Sequence, residues 1–202
     1  MGAFANSGAP NSMIAVVIPC YKVKRHVLDV IGAIGADVGL IVVVDDACPE
    51  SSGRHVEQQC TDPRVKVVFH PRNLGVGGAV KTGYEAAVAA GATVIVKLDG
   101  DGQMDAALIP QFVAPILEGS ADYTKGNRFF DVQVVSKMPG VRLFGNTMLS
   151  FITKLSSGYW NLFDPTNGYT AISARIVPYL DLPKIANGYF FESDMLFRLN
   201  IL

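Results

Sequence analysis

The chain has 202 residues, half of them apolar and 17% charged, with 20 glycines and 11 prolines. That describes one domain able to bury a sizeable core, and excludes a disordered, collagenous or low-complexity chain. A formal net charge of −1 supplies no basic stripe, so nucleic acid is excluded as a general partner.

Residues 1–12 (MGAFANSGAPNS) read as a flexible polar tail, without the basic start and apolar run of a signal peptide. A myristoylation pattern fails because Asn6 stands where Ser or Thr is needed. Met13–Cys20 is a short, continuous, β-branched run, as expected for a strand buried on both faces. A helical pattern follows through Val27, Leu28, Val30, Ile31 and Ile34. Gly39–Asp46 is a second buried strand, and Pro49–Gly53 a loop leading into a short helix. Val65–His70 is a third strand, Gly75–Ala90 a helix, and Ala92–Asp99 a fourth strand. A helix over Pro110–Glu118 carries Phe112, Val113, Ile116 and Leu117 on one side, with Pro110 in its first turn. Asp122–Arg128 reads as a strand, residues 129–139 as a loop, and Arg142–Gly158 as a helix with Phe144, Met148, Phe151 and Leu155 close to one face. Asp164–Gly168 is turn chemistry, Tyr169–Ser173 a strand and Glu192–Asn200 a final helix. No window holds the roughly 18 apolar residues of a membrane span.

Strands alternating with helices predict an α/β fold with a mostly parallel central sheet flanked by helices. Ligands of such sheets bind beyond the carboxyl ends of the strands. Those ends read Pro19-Cys20-Tyr21, Asp45-Asp46 and Asp99-Gly100-Asp101. Cys20, Cys48 and Cys60 are odd in number and form no CxxC pair, which fits a reducing compartment. His26, His55 and His70 show no metal-ligand spacing.

Asp99 and Asp101 flank a glycine where a strand runs out, so a bend can bring both carboxylates to one point. Two carboxylates that close repel unless a cation sits between them, and hard oxygen ligands suit Mg²⁺ or Mn²⁺. Gln103 follows at the same interval and offers a carbonyl oxygen. The competing reading is an acidic turn that caps the next helix. Asp45 and Asp46 suit a ribose hydroxyl or a base N–H, or equally a helix cap. Tyr21 is a candidate border for a base or sugar. The run from Asn73 to Thr82 imitates a phosphate-binding G-x-x-x-x-G-K-[ST] loop, but Val80 stands where the second glycine is required. Arg128 is a candidate fork for a phosphate, and Asp164, Glu192 and Asp194 are candidate bases.

In this order the segments VVIPCYK, IVVVDDACPESS, HPRNLGVGGAVKTGYEAA, VIVKLDGDGQM, KGNR, DPTNGYTA and GYFFESD resemble the inverting family 2 glycosyltransferases. More narrowly they are similar to the polyprenyl-phosphate branch, which includes the dolichyl-phosphate mannosyltransferases. The resemblance covers about residues 13–200 and implies a GT-A fold, with residues 13–202 as a single catalytic domain carrying a smaller acceptor-side region. It implies that Pro19, Tyr21, Asp45, Asp46, Lys81 and Asp99 border the nucleotide. Asp99, Asp101 and Gln103 would hold Mn²⁺ or Mg²⁺ on the donor diphosphate. Arg128 would bind a phosphate, and Asp164 and Glu192 would lie near the sugar and acceptor. The chain departs from the branch at Lys22-Val23, where an Asn-Glu type of pair is usual, and at Glu192-Ser193-Asp194, where the two acids are usually adjacent. Its end at Leu202 reads as a truncation of the acceptor side.

The implied reaction moves a sugar from a UDP- or GDP-sugar to a polyprenyl or dolichyl phosphate, with inversion, at the cytoplasmic face of a membrane. A phosphate monoester, with a second pKa near about 6, is already anionic at neutral pH. It needs cations to position it more than a base, and Arg128, Lys137 and Arg142 are candidates. The alternatives are a glycan or other alcohol acceptor, and a nucleotide-sugar-binding module without catalysis. The apolar composition also points to a contact surface, for a membrane or for a second copy of the chain.

Overall fold

The computed structural model describes residues 12–126 and 167–202. They form β1 (Ile14–Cys20), α1 (Val27–Gly32), β2 (Val38–Asp45), α2 (Ser52–Gln59), β3 (Val65–Phe69), α3 (Val76–Ala89), β4 (Val94–Lys97), α4 (Ile109–Leu117), β5 (Tyr123–Lys125), β6 (Thr170–Ser173) and α5 (Phe191–Ile201). Residues 1–11 of the tail, the expected helix over Arg142–Gly158, and Arg128, Lys137 and Asp164 lie outside the described residues.

The sheet has six strands in the order β3-β2-β1-β4-β6-β5. β1 pairs in parallel with β2 and β4, and β2 with β3. β6 runs antiparallel to β4 and to β5, a reversal that the alternation of elements does not predict. Consecutive residues of β1 feed opposite faces of the sheet. Val16, Ile18 and Cys20 join α1 and α4 on one face, and Ala15 and Val17 join α3 and α5 on the other. Both faces are therefore covered, which is why the strand reads as a continuous apolar run. Helix α3 packs close because Gly83 leaves space for Val17, whose side chain a Cβ there would strike.

The chain winds outward from β1 through β2 to β3, then returns to the other side of β1 as β4. The strand order reverses between β1 and β4, and a crevice opens there at the carboxyl ends. The ladder of β4 closes at Lys97, two residues short of the expected end. Asp99–Asp101 bend away from the sheet toward Gly102, whose φ of +78° favours glycine.

Candidate active site

The crevice holds a cleft of about 720 Å³, within the range of small-molecule sites. Its walls bring together Pro19, Tyr21, Asp46, Asp99, Asp101 and Glu192. Asp45, Lys81 and Gln103 are not in those walls, although the first two were expected beside the nucleotide and the third beside the metal.

The two acids that follow β2 serve different segments. Asp45 accepts the backbone N–H of Cys48 at 2.7 Å and that of Gly53 at 2.6 Å. Its carboxylate thus closes the turn into α2, and Gly53 is needed because a Cβ would fall 2.5 Å from that of Asp45. Asp46 accepts the N–H groups of Leu74 and Gly75, both at 2.8 Å. His70 Nδ1 lies 2.7 Å from the same carboxylate, and His70 Nε2 lies 2.9 Å from the Thr82 hydroxyl. Asp46 is buried, and the His70 side chain is only 6% exposed. Asp46 therefore fixes the glycine-rich approach to α3 against the end of β2.

That approach does not cradle a phosphate. Gly77 and Gly78 donate their N–H groups to the Asn187 carbonyl at 2.8 and 3.4 Å. The Lys81 ammonium donates to the Ile185 carbonyl at 2.7 Å, and burial pushes its pKa down. Ala186 donates in turn to Asp194 at 2.8 Å. The start of α3 is capped by the chain's own segment 185–188. Gly75, at a φ of +86°, is needed because a Cβ there would meet the Asn187 carbonyl at 2.6 Å.

Beyond β4, Asp101 is exposed and its Oδ1 accepts the Gln103 N–H at 3.0 Å. Gln103 thus meets Asp101 through its backbone. Gly100 sits tightly on Ile18 and Val23, so the turn rests against the end of β1. Asp99 is partly exposed, with Oδ1 held by Lys97 Nζ at 3.0 Å and Oδ2 accepting no hydrogen bond from the described residues.

Lys97 and Lys125 are functional candidates that the sequence reading passed over. Lys97 is 2% exposed and contacts Asp99 Oδ1, Glu192 Oε1 at 3.1 Å and the Gly168 carbonyl at 3.1 Å. Burial pulls its pKa down, and the charges of Glu192 and Asp99 more than offset this, leaving it above the ordinary lysine value. Lys125 lies 3.4 Å from Glu192 Oε2 and donates to the Asn167 carbonyl. For Lys97 the available signal was a lysine in an apolar strand, two residues before Asp99. Tyr169 lies in the core beneath α4, stacked on Phe112 at 4.1 Å with its hydroxyl on the Asp105 carbonyl at 2.9 Å.

Among the described residues no group of three or more His, Cys, Asp or Glu side chains could hold a metal ion. Asp99 and Asp101 supply two carboxylates. This donor set suits a hard cation that completes its shell with phosphate oxygens and water.

Residues 15–179 match the family described as Glycosyl transferase family 2. The chain is 29% identical over 200 residues to a UDP-N-acetylglucosamine–dolichyl-phosphate N-acetylglucosaminyltransferase of Methanococcus voltae, covering 92% of this chain and 79% of that one. It is 31% identical over 160 residues to an undecaprenyl-phosphate mannosyltransferase of Micrococcus luteus, covering 78% of this chain and 65% of that one. Its fold is similar to that of glucosyl-3-phosphoglycerate synthase from Mycobacterium tuberculosis, solved with Mn²⁺, UDP and glucosyl-3-phosphoglycerate. The TM-score is 0.67 at 20% identity, over 92% of this chain and 64% of that one. The last likeness concerns the fold alone, which is GT-A. With the ordered cleft at the strand reversal and a family match over most of its length, the chain belongs to glycosyl transferase family 2.

Proposed function

We propose that the chain transfers a sugar from a nucleotide-sugar donor to a polyprenyl phosphate. The observation that carries this reading is the meeting of two strand ends across one cleft. The Asp99–Asp101 turn after β4 faces the Pro19–Tyr21 end of β1. The names of the two relatives support the acceptor class.

Pro19 and Tyr21 border the base and ribose. Asp46 fixes the turn beside them. Asp45 and Lys81 act from behind the wall, through the α2 turn and the 185–188 segment. Asp99 and Asp101 hold the donor side, with the Gln103 N–H setting the rotamer of Asp101. These two carboxylates would hold Mn²⁺ or Mg²⁺, which would supply positive charge to offset that of the departing diphosphate. Arg128 and Asp164 take the phosphate and sugar roles that the family resemblance implies.

The acceptor phosphate attacks the anomeric carbon from the face opposite the diphosphate, and the configuration inverts. A phosphate monoester dianion, the main form above its second pKa of about 6, has no proton to give up, so no carboxylate base is required. Glu192 suits this, because both of its oxygens are already held by lysine ammonium groups. The reaction runs at the cytoplasmic face of a membrane, where a lipid phosphate is presented.

The test is transfer of labelled sugar from UDP- and GDP-sugars in the presence of Mn²⁺ and a polyprenyl phosphate. Label that moves into the organic phase and is released by mild acid supports the reading. Label that enters only a water-soluble glycan overturns the acceptor.

A further inference from the structure

Lys97 occupies a position that belongs to the apolar core. On β4 the side chains of Val94 and Val96 enter one face of the sheet, and Ile95 enters the other, among α3 and α5. By that alternation Lys97 points to the α3 and α5 side, and it is buried there. Its ammonium has three protons and three acceptors, in Asp99, Glu192 and Gly168, at 3.0, 3.1 and 3.1 Å. These come from the turn after β4, the first turn of α5 and the approach to β6. Gly168 is matched to this arrangement, because a Cβ there would collide with the Lys97 ammonium and lie 3.0 Å from Asp99 Oδ2.

We propose that Lys97 is a resident counter-cation of the Asp99–Asp101 turn. It offsets part of the charge of the carboxylate pair before any donor arrives, and it ties Asp99 through Glu192 to α5. The inference rests on the reading that this turn holds the donor's divalent ion.

Its consequence is an order of binding. A cation entering beside a fixed ammonium is repelled, so the metal alone binds weakly. A diphosphate that arrives with the metal supplies the missing negative charge, and the two bind together. Glu192 then acts as a positioning residue, sharing Lys97 with Asp99 and limiting how much of the ammonium's charge the turn receives.

The experiment is titration of Mn²⁺ alone, followed through the electron paramagnetic resonance of the free ion, on wild type, Lys97→Met and Glu192→Gln. Lys97→Met should bind Mn²⁺ alone at least about tenfold more tightly than wild type, because the repelling charge is gone. Glu192→Gln keeps the shape of the side chain and leaves Lys97 to Asp99, so it should bind Mn²⁺ more weakly than wild type. The second variant decides the matter if the first does not fold. Lys97→Met no tighter than wild type, or Glu192→Gln unchanged, overturns the inference. Wild type titrated with UDP and GDP is the control. Absence of any Mn²⁺-dependent nucleotide binding would overturn the donor reading itself, and this inference with it.

Discussion

The carboxylate of Asp46 receives the backbone N–H of Gly75 at 2.8 Å, across 29 residues of chain. One buried side chain thereby joins the end of β2 to the approach of α3, and so holds one wall of the cleft. Asp46→Asn puts an amide NH₂ where an acceptor is required, leaving a backbone N–H without a partner. The expected cost is about 2 kcal/mol of stability, read from urea denaturation. Nucleotide affinity should fall at least about tenfold, since the displaced wall borders the cleft.

Lys81 reaches the same wall from behind, through the Ile185 carbonyl at 2.7 Å. Lys81→Met removes a charge-assisted hydrogen bond and should cost about 1–2 kcal/mol in the same assay. Because the ammonium turns away from the cleft, its effect on nucleotide affinity should be much smaller than that of Asp46→Asn. A larger effect would show that Lys81 swings toward bound ligand.

Gly83 tests the packing that sets α3 on the sheet. A Cβ at this position falls against the Val17 side chain, 3.0 Å from one methyl group and closer to the other. Gly83→Ala should destabilise by about 1–3 kcal/mol despite its better helix propensity. A gain in thermal midpoint would mean that the helix can lift from β1 without loss.

Alkaline pH should unfold the protein in a defined direction. Burial raises the pKa of the Tyr84 and Tyr169 phenols, and the carboxylates around Lys97 hold its pKa above the ordinary value. All three groups keep their protons in the folded state at a pH where the unfolded chain loses them. Their contribution is complete below the unfolded values, near about pH 10, and is lost as pH rises through the folded ones. Each fully divergent group adds a slope of up to about 1.4 kcal/mol per pH unit. Tyr84→Phe should flatten the fall in stability above pH 10 when denaturation is measured across that range.

Most of the sheet and its flanking helices were legible because buried parallel strands write themselves as unbroken β-branched runs. Val16 to Ile18 and Leu40 to Val44 face apolar neighbours on both sides, so nothing interrupts the pattern. The antiparallel β5 and β6 were less legible, since pairing direction leaves no mark in strands of three and four residues. At the site, the acids were visible from their place at strand ends, but their partners were not. Asp45 and Asp46 look equivalent in sequence, yet one closes a local turn and the other a contact 29 residues away. His70, Lys97 and Gly168 acquire meaning only through contacts that cross between elements, as in the Lys97–Gly168 hydrogen bond spanning 71 residues.

In the proposed function the cleft between β1 and β4 takes a nucleoside diphosphate through a divalent ion at Asp99 and Asp101. The most direct measurement is the thermal midpoint of wild type and Asp101→Ala with UDP or GDP, each with and without Mn²⁺. Binding to the folded state must raise the midpoint. The expected result is a rise with one nucleotide that requires Mn²⁺ and disappears in Asp101→Ala. An equal rise in the variant, or a rise that does not depend on Mn²⁺, would contradict it.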